Sequence, residues 1–411
     1  MNVPRSFVRT EHFPFKTCGS TDCPICTKSM AAFRIKHLLN TTDFYGSTPT
    51  PFVGRFGYPE VNVGVLTPPM QDESVWMYDA PRYWGEQNFS IPQIVNFRSS
   101  LINSNFKADI RARNKMLDVA QEAGMAYKPV DVEVHLNKAP VFRLNLEPYV
   151  APMGPTARLK SIEVTSNPYI PVAVDRAVSD TDMKASEALN YLYQKNFDEN
   201  YLTRLLSVGT LGIGSSRKLV PTRWAITATD DTLGKKMISE IKDYGTYEYS
   251  AYFGGYLGNY FLILTLPEVW GYELFEAYVP KDAALQMKLT YTSDYEFYDG
   301  RKSYAENCGG GYYASRLAVL EKLKSLKRQS SVLVLRFITD EYTLPLGVWV
   351  VREATRKSIA STPMKFASRE LLLSYVKDFV KKKFGVDAMQ LVENSKIWKN
   401  SKMQKKLAVF T

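Results

Sequence analysis

Apolar residues along the chain recur with two spacings, every second position in some segments and every third or fourth position in others. Alternation over residues 130–136 and 139–146, separated by Asn137-Lys138, predicts a β-hairpin. Shorter apolar runs predict strands at residues 161–165 and 170–174.

Helical spacing dominates the rest of the first half. Residues 91–123 are mostly helical in pattern, and Gly124 is suited to end such a helix. Two further helices are predicted over residues 180–196 and 199–207. By contrast, residues 48–69 combine glycines, prolines and large apolar groups, which predicts a packed loop with tight turns.

The second half contains more predicted strands. The pattern predicts a helix over residues 232–242 with Asp230-Asp231 as its N-terminal cap. It predicts a helix from Tyr312 to Lys327 and another that Ser368 begins and Gly385 ends, with Lys381-Lys382-Lys383 in its last turn. The predicted strands are residues 225–229, 247–253, 258–266, 270–278, 332–339 and 347–352.

These elements define the expected fold class, a mixed α+β chain with two domains. A cysteine-rich segment (residues 1–40) precedes an N-terminal domain (41–285), and a C-terminal domain (286–400) precedes a flexible tail (401–411). The C-terminal domain ends in a basic helix. No apolar run approaches the ~18 residues that a membrane span needs, and residues 1–5 do not begin a signal peptide, so we expect a cytoplasmic protein without a membrane partner.

Positive charge is concentrated at the end of the chain. The net charge is +10, and the residues from Arg352 to Thr411 contain 14 Lys/Arg and 5 Asp/Glu, which leaves a net charge of only +1 on the preceding residues. A concentrated basic segment favours a polyanionic partner, most simply DNA. The alternative interpretation is a solvated terminal helix.

Three of the four cysteines lie within nine residues of one another. Cys18, Cys23 and Cys26 have the spacing of a tetrahedral thiolate site, and the predicted cofactor is a structural Zn²⁺ with His12 as the fourth ligand. His37 and Cys308 are the other candidates for that position. The spacing also matches a plant-type [2Fe–2S] arrangement with Cys308 as the distant ligand, and reduced thiols without a metal are a third interpretation.

Two glycine-rich loops are candidate phosphate-binding sites. Residues 209–218 do not match a P-loop, but their backbone amides together with Arg217, Lys218 and Arg223 are suited to contact DNA phosphates. Arg55, in the earlier glycine-rich stretch, is a further candidate. A tight turn with exposed cations is the alternative.

The second glycine-rich loop, Gly309-Gly310-Gly311, precedes a predicted helix. Free amides at the start of a helix attract anions, and Arg316 lies one turn further on. Tyr312 and Tyr313 are suited to stack on unpaired bases, although core packing is the ordinary role for one of them.

Carboxylates offer a possible site for catalysis. Asp230-Asp231 have the chemistry to bind a hard cation such as Mg²⁺, although Asp before a helix is more simply a cap. Glu273 and Glu306 are the other carboxylates of interest. The sequence does not decide whether the protein is an enzyme.

The last eight residues contain Gln404, Leu407 and Phe410, a glutamine followed at +3 by an aliphatic residue and at +6 by an aromatic. In a 3₁₀ turn the last two form one apolar plug. This pattern resembles the PIP box, the peptide with which repair and replication proteins bind the sliding clamp PCNA. A frayed basic tail is the alternative.

Several longer motifs together resemble the archaeal Nre family of DNA-repair proteins. They are Cys18-Gly19 with Cys23-Pro24-Ile25, VGRFGYPEVNVG (53–64), FRSSL (97–101), PTRWAIT (221–227) with Asp230-Asp231, residues 309–320 and PLGVWVVRE (345–353). The resemblance implies an Nre N-terminal and an Nre C-terminal domain, a role in DNA damage repair and a C-terminal PIP box that contacts PCNA. The chain departs from the family where His12 stands for an upstream cysteine and Thr411 for a second aromatic residue.

The sequence-based hypothesis is therefore a DNA damage repair factor that binds DNA and is recruited to PCNA. The alternative is a metal-dependent enzyme that acts on damaged DNA or a nucleotide near the glycine-rich loops. A purely structural adaptor is the third possibility.

Overall fold

The structure of the protein is a computed structural model. It describes residues 40–141, 153–279 and 289–403, together with Cys23, Cys26, Thr27, Ser29 and Met30. Within these residues the chain is mixed α and β, as the sequence predicts, with two six-stranded sheets and helices between and around them.

The first sheet has the strand order β1-β5-β6-β4-β3-β2 and the second has the order β10-β9-β11-β8-β7-β12. The strands of the first sheet are β1 (Asp43–Thr48), β2 (Thr50–Val53), β3 (Glu60–Thr67), β4 (Ile102–Asp109), β5 (Val130–Leu136) and β6 (Thr156–Val164). Those of the second are β7 (Ser250–Tyr256), β8 (Asn259–Leu266), β9 (Gly271–Val279), β10 (Tyr291–Glu296), β11 (Ser331–Thr339) and β12 (Met364–Lys365).

Helices follow the strands in both halves of the chain. They are α1 (Pro81–Glu86), α2 (Ile91–Ser99), α3 (Lys115–Met125), α4 (Val172–Ser179), α5 (Ala185–Gln194), α6 (Glu199–Ser207), α7 (Thr222–Ile241), α8 (Gly310–Leu326), α9 (Trp349–Ala360), α10 (Arg369–Phe384), α11 (Met389–Asn394) and α12 (Lys396–Met403). Short 3₁₀ turns cover Glu73–Asp79 and Gly214–Ser216.

The first sheet buries one face. In β3, Val61, Val63 and Val65 are fully buried and pack with α3, where Leu117 and Ala120 are buried, whereas Asn62 and Leu66 on the other face are partly exposed. This alternation is the pattern of a strand with one face in the core and the other toward solvent.

The second sheet is buried on both faces. Strand β11 lies between β8, which is antiparallel to it, and β9, which is parallel to it. Its even-numbered residues Val332 and Val334 face a core formed with α7, α8 and α9, whereas Leu333 and Leu335 face a second core formed with α10, α11 and α12. Strands that lie before and after the predicted boundary at residue 285 belong to this one sheet.

Several sequence-based predictions are confirmed. Helix α6 has the predicted bounds and begins at Asp198, whose side chain accepts the Asn200 and Tyr201 N–H groups. Helix α10 begins at Ser368, whose hydroxyl accepts the Leu371 N–H, and it ends at Gly385 with φ +71°. The predicted strands over residues 247–278 and 332–339 and the helix from Tyr312 are also present.

Other predictions are wrong, and three of them share one cause. Residues 91–123 form two helices separated by strand β4, and the strand predicted at 170–174 lies largely in helix α4. The strands predicted at 225–229 and 347–352 belong to helices α7 and α9. Short apolar, β-branched runs after Pro or Gly look alike in a strand and in a helix that is buried on most sides, so periodicity alone does not separate them.

The remaining wrong predictions concern turns and the ends of elements. The stretch 48–69 is a β-hairpin of β2 and β3 rather than a packed loop. Strand β5 pairs with β1 and β6, and the described part of the predicted 139–146 strand makes only a bridge from Val141 to Thr156. The helix predicted from residue 180 begins at Ala185. Among the described residues no helix is long and apolar enough to cross a membrane.

Candidate nucleic-acid interface

The tip of the β2–β3 hairpin extends beyond the first sheet. Gly57 has φ +87°, the Tyr58–Pro59 peptide is cis, and the Glu60 N–H donates to Gly57 O at 3.0 Å, which closes a tight turn of the type VI class. Phe56 is 77% exposed because side chains in this turn point away from the core. The Arg55 guanidinium lies 4.9 Å from the centroid of the Phe56 ring.

Helix α7 begins against this hairpin. The Thr222 hydroxyl accepts the Val53 N–H at 2.9 Å and is also hydrogen-bonded to the Ser207 hydroxyl, so strand β2 is attached to the start of the helix. Trp224, in the first turn of α7, meets Tyr58 with the ring centroids 5.2 Å apart and the planes at 55°. Tyr58 and Trp224 remain 41% and 45% exposed.

The glycine-rich loop of residues 209–218 ends beside the same hairpin. The Leu219 N–H donates to Ile110 O at 2.8 Å, and the Ile110 N–H donates to Pro59 O at 3.1 Å. Lys218 is exposed, whereas Arg217 is half-buried and donates to the backbone carbonyls of Gly212 and Asp180. Arg217 therefore holds the loop together, which does not fit its predicted contact with phosphate.

These elements contact one another, and we call their exposed aromatic and basic side chains together the aromatic-basic surface. Its residues are Arg55, Phe56, Tyr58, Arg111, Lys218, Arg223 and Trp224. Two acidic side chains border it, but Glu60 is paired with Lys107 at 3.0 Å and Asp109 accepts the Arg111 N–H at 2.9 Å. The surface thus has a positive excess around three exposed rings, and it unites three of the predicted phosphate-binding residues, Arg55, Lys218 and Arg223.

Arg316 occupies a different place from the one predicted. Its side chain is fully buried, and its guanidinium is ion-paired with Glu296 at 2.7 Å and with Asp231 at 2.6 Å. Burial opposes the charge, but Glu296 and Asp231 raise the pKa of Arg316 above its usual value. Tyr312 and Tyr313 are also buried, so neither residue fits the predicted stacking on bases.

Three motifs that carry the family resemblance meet at Gly310. A Cβ atom there would lie 3.0 Å from Val348 and 3.5 Å from the Thr227 hydroxyl, so α7 and the residue before α9 both pack closely against the start of α8. Ion pairs then link the three helices. Besides the Arg316–Asp231 pair, Arg352 of α9 contacts Asp230 of α7 at 2.6 Å.

Further buried charges extend these contacts toward α6 and α8. Arg356 is ion-paired with Glu199 at 2.9 Å, with Glu321 at 2.7 Å and with Glu353 at 2.7 Å. Burial favours the protonated form of Glu199, but Arg356 and Arg352 hold its pKa well below the usual range. Burial raises the pKa of Asp230 to about 6 and that of Glu353 to about 7, against the opposing effect of the neighbouring arginines.

The carboxylates considered for catalysis therefore do not converge. Asp230 and Asp231 lie within helix α7 rather than at its cap, and each is held by a different arginine. Glu273 accepts the Ser395 hydroxyl and the Ile397 N–H, and Glu306 is exposed elsewhere. The predicted Mg²⁺ site at Asp230 and Asp231 does not fit these contacts, because an arginine holds each carboxylate. Over residues 40–141, 153–279 and 289–403 no group of three or more His, Cys, Asp or Glu side chains is arranged to bind a metal.

The predicted zinc site lies mostly outside the described residues. His12, Cys18 and His37 are not described, whereas Cys26 is buried and the Thr27 N–H donates to Cys23 O at 3.0 Å. Cys308 does not join Cys23 and Cys26 in a cluster. It is buried under the second sheet, where its N–H donates to Asp294 at 2.8 Å. Zn²⁺ bound by Cys18, Cys23, Cys26 and His12 stays a prediction.

Part of the positive charge of the last sixty residues is internal. Arg352 and Arg356 belong to the buried ion pairs, and Arg369 packs over the Trp398 ring at 4.1 Å. The cations of α10, among them Lys377 and Lys381–Lys383, are exposed, but the helix turns its rings Tyr375 and Phe379 toward the second core. Gln404, Leu407 and Phe410 lie outside the described residues.

An open cleft of about 860 Å³ lies on another side of the molecule. Aromatic and acidic side chains line it, including Trp76, Tyr127, Asp72 and Asp79. Its carboxylates outnumber its cations, so a phosphate backbone is better matched by the aromatic-basic surface than by this cleft.

Sequence reasoning did not select Phe56, Tyr58 or Trp224. A signal was nevertheless present in the hairpin, because aromatic residues between Gly and Pro at a turn that joins two strands are too far from the sheet to reach its core. The sequence does not indicate that Trp224 is exposed. Its exposure follows from the packing of the start of α7 against the hairpin, which is a tertiary contact.

Comparison with known proteins identifies the family of the chain. The model "Archaeal Nre, N-terminal" matches residues 17–283, and the model "Archaeal Nre, C-terminal" matches residues 296–410. The chain belongs to the archaeal Nre family, and the predicted resemblance is confirmed.

Curated relatives agree with the family models. The chain is 37% identical over 389 residues to "DNA repair protein NreB" of Archaeoglobus fulgidus, which covers 94% of this chain and 96% of the relative. It is 37% identical over 359 residues to "DNA repair protein NreA" of the same organism, covering 85% and 88% of the two chains. It is 35% identical over 336 residues to "DNA repair protein NreA" of Haloferax volcanii, covering 79% and 80%. No solved structure matches the chain.

Proposed function

We propose that this protein is a DNA-repair factor that binds DNA through the aromatic-basic surface and is recruited to the PCNA sliding clamp by its C-terminal tail. The observation that supports the DNA-binding part is that Arg55, Lys218 and Arg223 are exposed on segments that contact one another and also present exposed rings. The relatives, each named a DNA repair protein, support the biological role.

The chemistry of the surface is suited to a phosphate backbone. Exposed arginine and lysine side chains can neutralise DNA phosphates. The phosphates then release their bound counterions, and this release drives binding. The cations sit on a hairpin, a loop and a helix start that are hydrogen-bonded to one another, so their relative positions are already set before DNA arrives.

A charge-neutralised variant tests the DNA-binding surface. We expect Arg55→Gln/Lys218→Gln/Arg223→Gln to weaken binding to a duplex oligonucleotide and to lower the slope of log K against log salt by about 2–3, roughly one per lost phosphate contact. Fluorescence anisotropy at several salt concentrations measures both quantities.

The matched control is Lys377→Gln/Lys381→Gln/Lys382→Gln, which removes the same charge from the exposed side of α10. The proposal requires the α10 variant to bind almost as the parent does. If the α10 variant loses binding and the hairpin variant keeps it, DNA binds to the C-terminal basic helix and the assigned surface is wrong.

Recruitment to the clamp is tested in the tail. The double variant Leu407→Ala/Phe410→Ala removes both apolar residues of the motif, and we expect binding to purified PCNA to fall below detection in isothermal titration calorimetry. Burial of such side chains contributes about 1.5–3 kcal/mol each, enough to abolish a micromolar interaction when both are lost. Val409→Ala, which changes an apolar residue between motif positions, is the control. A double variant that binds PCNA as the parent does would exclude the tail as the docking segment.

A further inference from the structure

We infer that the aromatic-basic surface binds an unpaired DNA strand, whose bases stack on Phe56 and on the Tyr58–Trp224 pair. This inference rests on the proposed DNA binding and specifies the form of DNA that is bound. Its basis is that three exposed rings and four exposed cations lie on segments that contact one another, namely the hairpin tip, the end of β4, the end of the glycine-rich loop and the start of α7.

The exposure of the rings is the first argument. Phe56 is 77% exposed, and Tyr58 and Trp224 are 41% and 45% exposed, although aromatic side chains gain most from burial. By contrast, Phe106 of the neighbouring strand β4 is buried in the core, with 4% exposure. A cluster of rings left in water on a turn and a helix start marks a binding surface.

The geometry of the rings suits base stacking. Tyr58 and Trp224 meet at 55° rather than in parallel, so they do not cover each other's faces as a stacked pair would. Phe56 lies two residues from Tyr58 in the same turn, and Arg55 lies over its ring at 4.9 Å. Bases in a duplex are already stacked on their neighbours, whereas unpaired bases have faces available for such rings.

The charges identify the occupant as a nucleic acid strand. Arg55 and Arg223 are next in sequence to Phe56 and Trp224, and Arg111 and Lys218 are next to Ile110 and Leu219, whose backbone hydrogen bonds join them to the hairpin. Of the two acidic side chains nearby in the sequence, Glu60 is ion-paired with Lys107 and Asp109 accepts the Arg111 N–H, so four exposed cations face one carboxylate without a cationic partner. An apolar peptide would leave these cations without partners. A phosphodiester backbone with splayed bases satisfies both the cations and the rings.

The surface is also held in place. The Val53 N–H bond to Thr222 and the Ser207–Thr222 hydrogen bond fix the hairpin to helix α7, and the Pro59–Ile110 and Ile110–Leu219 bonds fix it to the glycine-rich loop. The rings therefore need little reordering when bases arrive, which lowers the entropic cost of binding.

The test compares a single strand of about 20 nucleotides with the duplex of the same sequence. We expect Phe56→Ala/Trp224→Ala to weaken binding of the single strand by roughly 10- to 100-fold, since stacking on each ring contributes severalfold to affinity. Binding of the duplex changes less than about twofold, because the surrounding cations are intact. Fluorescence anisotropy with both ligands gives the two dissociation constants.

Two further variants serve as controls. Tyr169→Ala removes a ring that is 61% exposed away from this surface and should leave both affinities unchanged. Trp224→Phe keeps an aromatic face and should retain most of the single-strand binding. Equal melting temperatures of the parent and the double variant establish that the fold is retained.

The outcomes separate this inference from the proposed function. If the double alanine variant binds both ligands as the parent does, or loses both equally, stacking of unpaired bases is wrong. If the Arg55→Gln/Lys218→Gln/Arg223→Gln variant also binds DNA normally, the proposed function itself fails at this surface. A single-stranded RNA of the same sequence that binds more tightly than the DNA would overturn the choice of DNA.

Discussion

Replacing Arg316 by methionine is expected to lower the free energy of unfolding by about 3–5 kcal/mol. The substitution removes the cationic partner of Glu296, whose side chain is fully buried, and among the described residues it leaves that carboxylate with the Trp270 indole N–H at 3.2 Å. The loss of Arg316 costs less at Asp231, because that carboxylate is partly exposed and is also ion-paired with Lys235 at 2.6 Å. A buried charge without a partner is the main source of the cost.

Urea denaturation followed by circular dichroism measures this change. We expect a lower urea concentration at the unfolding midpoint and a similar dependence of the unfolding free energy on urea. The double variant Arg316→Met/Glu296→Gln is the control, since it removes the stranded charge as well. It should recover a large part of the lost stability, because two neutral side chains replace the ion pair. A single variant with the stability of the parent would mean that Arg316 contributes nothing net to the contact between α7, α8 and β10.

Gly209→Ala is expected to destabilise the protein more than an ordinary Gly→Ala substitution and to weaken DNA binding with it. Gly209 has φ +74°, which costs an L-residue about 1–2 kcal/mol. An added Cβ would also lie 2.6 Å from Lys218 O, a backbone atom that cannot move aside alone. Residues 209 and 218 must separate to make room, and such overpacking costs roughly another 1–3 kcal/mol.

Gly385→Ala is the matched control. Gly385 has nearly the same φ, +71°, but no atom lies within 4 Å of its added Cβ, so only the backbone cost applies. Thermal melting gives the stability of both variants, and anisotropy gives their DNA affinity. Equal destabilisation by the two substitutions, with DNA binding unchanged, would show that the close approach of Gly209 to Lys218 does not shape the surface.

The elements that sequence analysis located are those with unambiguous local chemistry. Helix α10 was placed correctly because Ser368 begins it, Gly385 ends it, and Leu372, Val376 and Val380 form one buried face. The pattern predicts a strand over residues 347–352, where helix α9 begins, because residues 349–355 are all buried and the helix therefore has no exposed polar face there.

The candidate site was predictable only in part. Arg55, Lys218 and Arg223 are cations on or next to glycine-rich stretches, and in the structure they are exposed on segments that contact one another. Arg316 satisfied the same rule but is buried, because its partners Asp231 and Glu296 come from an adjacent helix and a strand that are remote in the sequence. A sequence contains the residue types of such pairs but not their distances.

The position of strand β11 has a consequence for how the protein is made. Strand β11 lies between β8 and β9, yet it begins at Ser331, more than fifty residues after β9 ends at Val279. During synthesis at about 5–20 residues per second, the facing edges of β8 and β9 have no partner for several seconds after they leave the ribosome. Exposed edges of apolar strands pair readily with other chains. Completion of this sheet therefore waits for the C-terminal part of the chain, and the nascent protein is a natural client for chaperones until that part emerges.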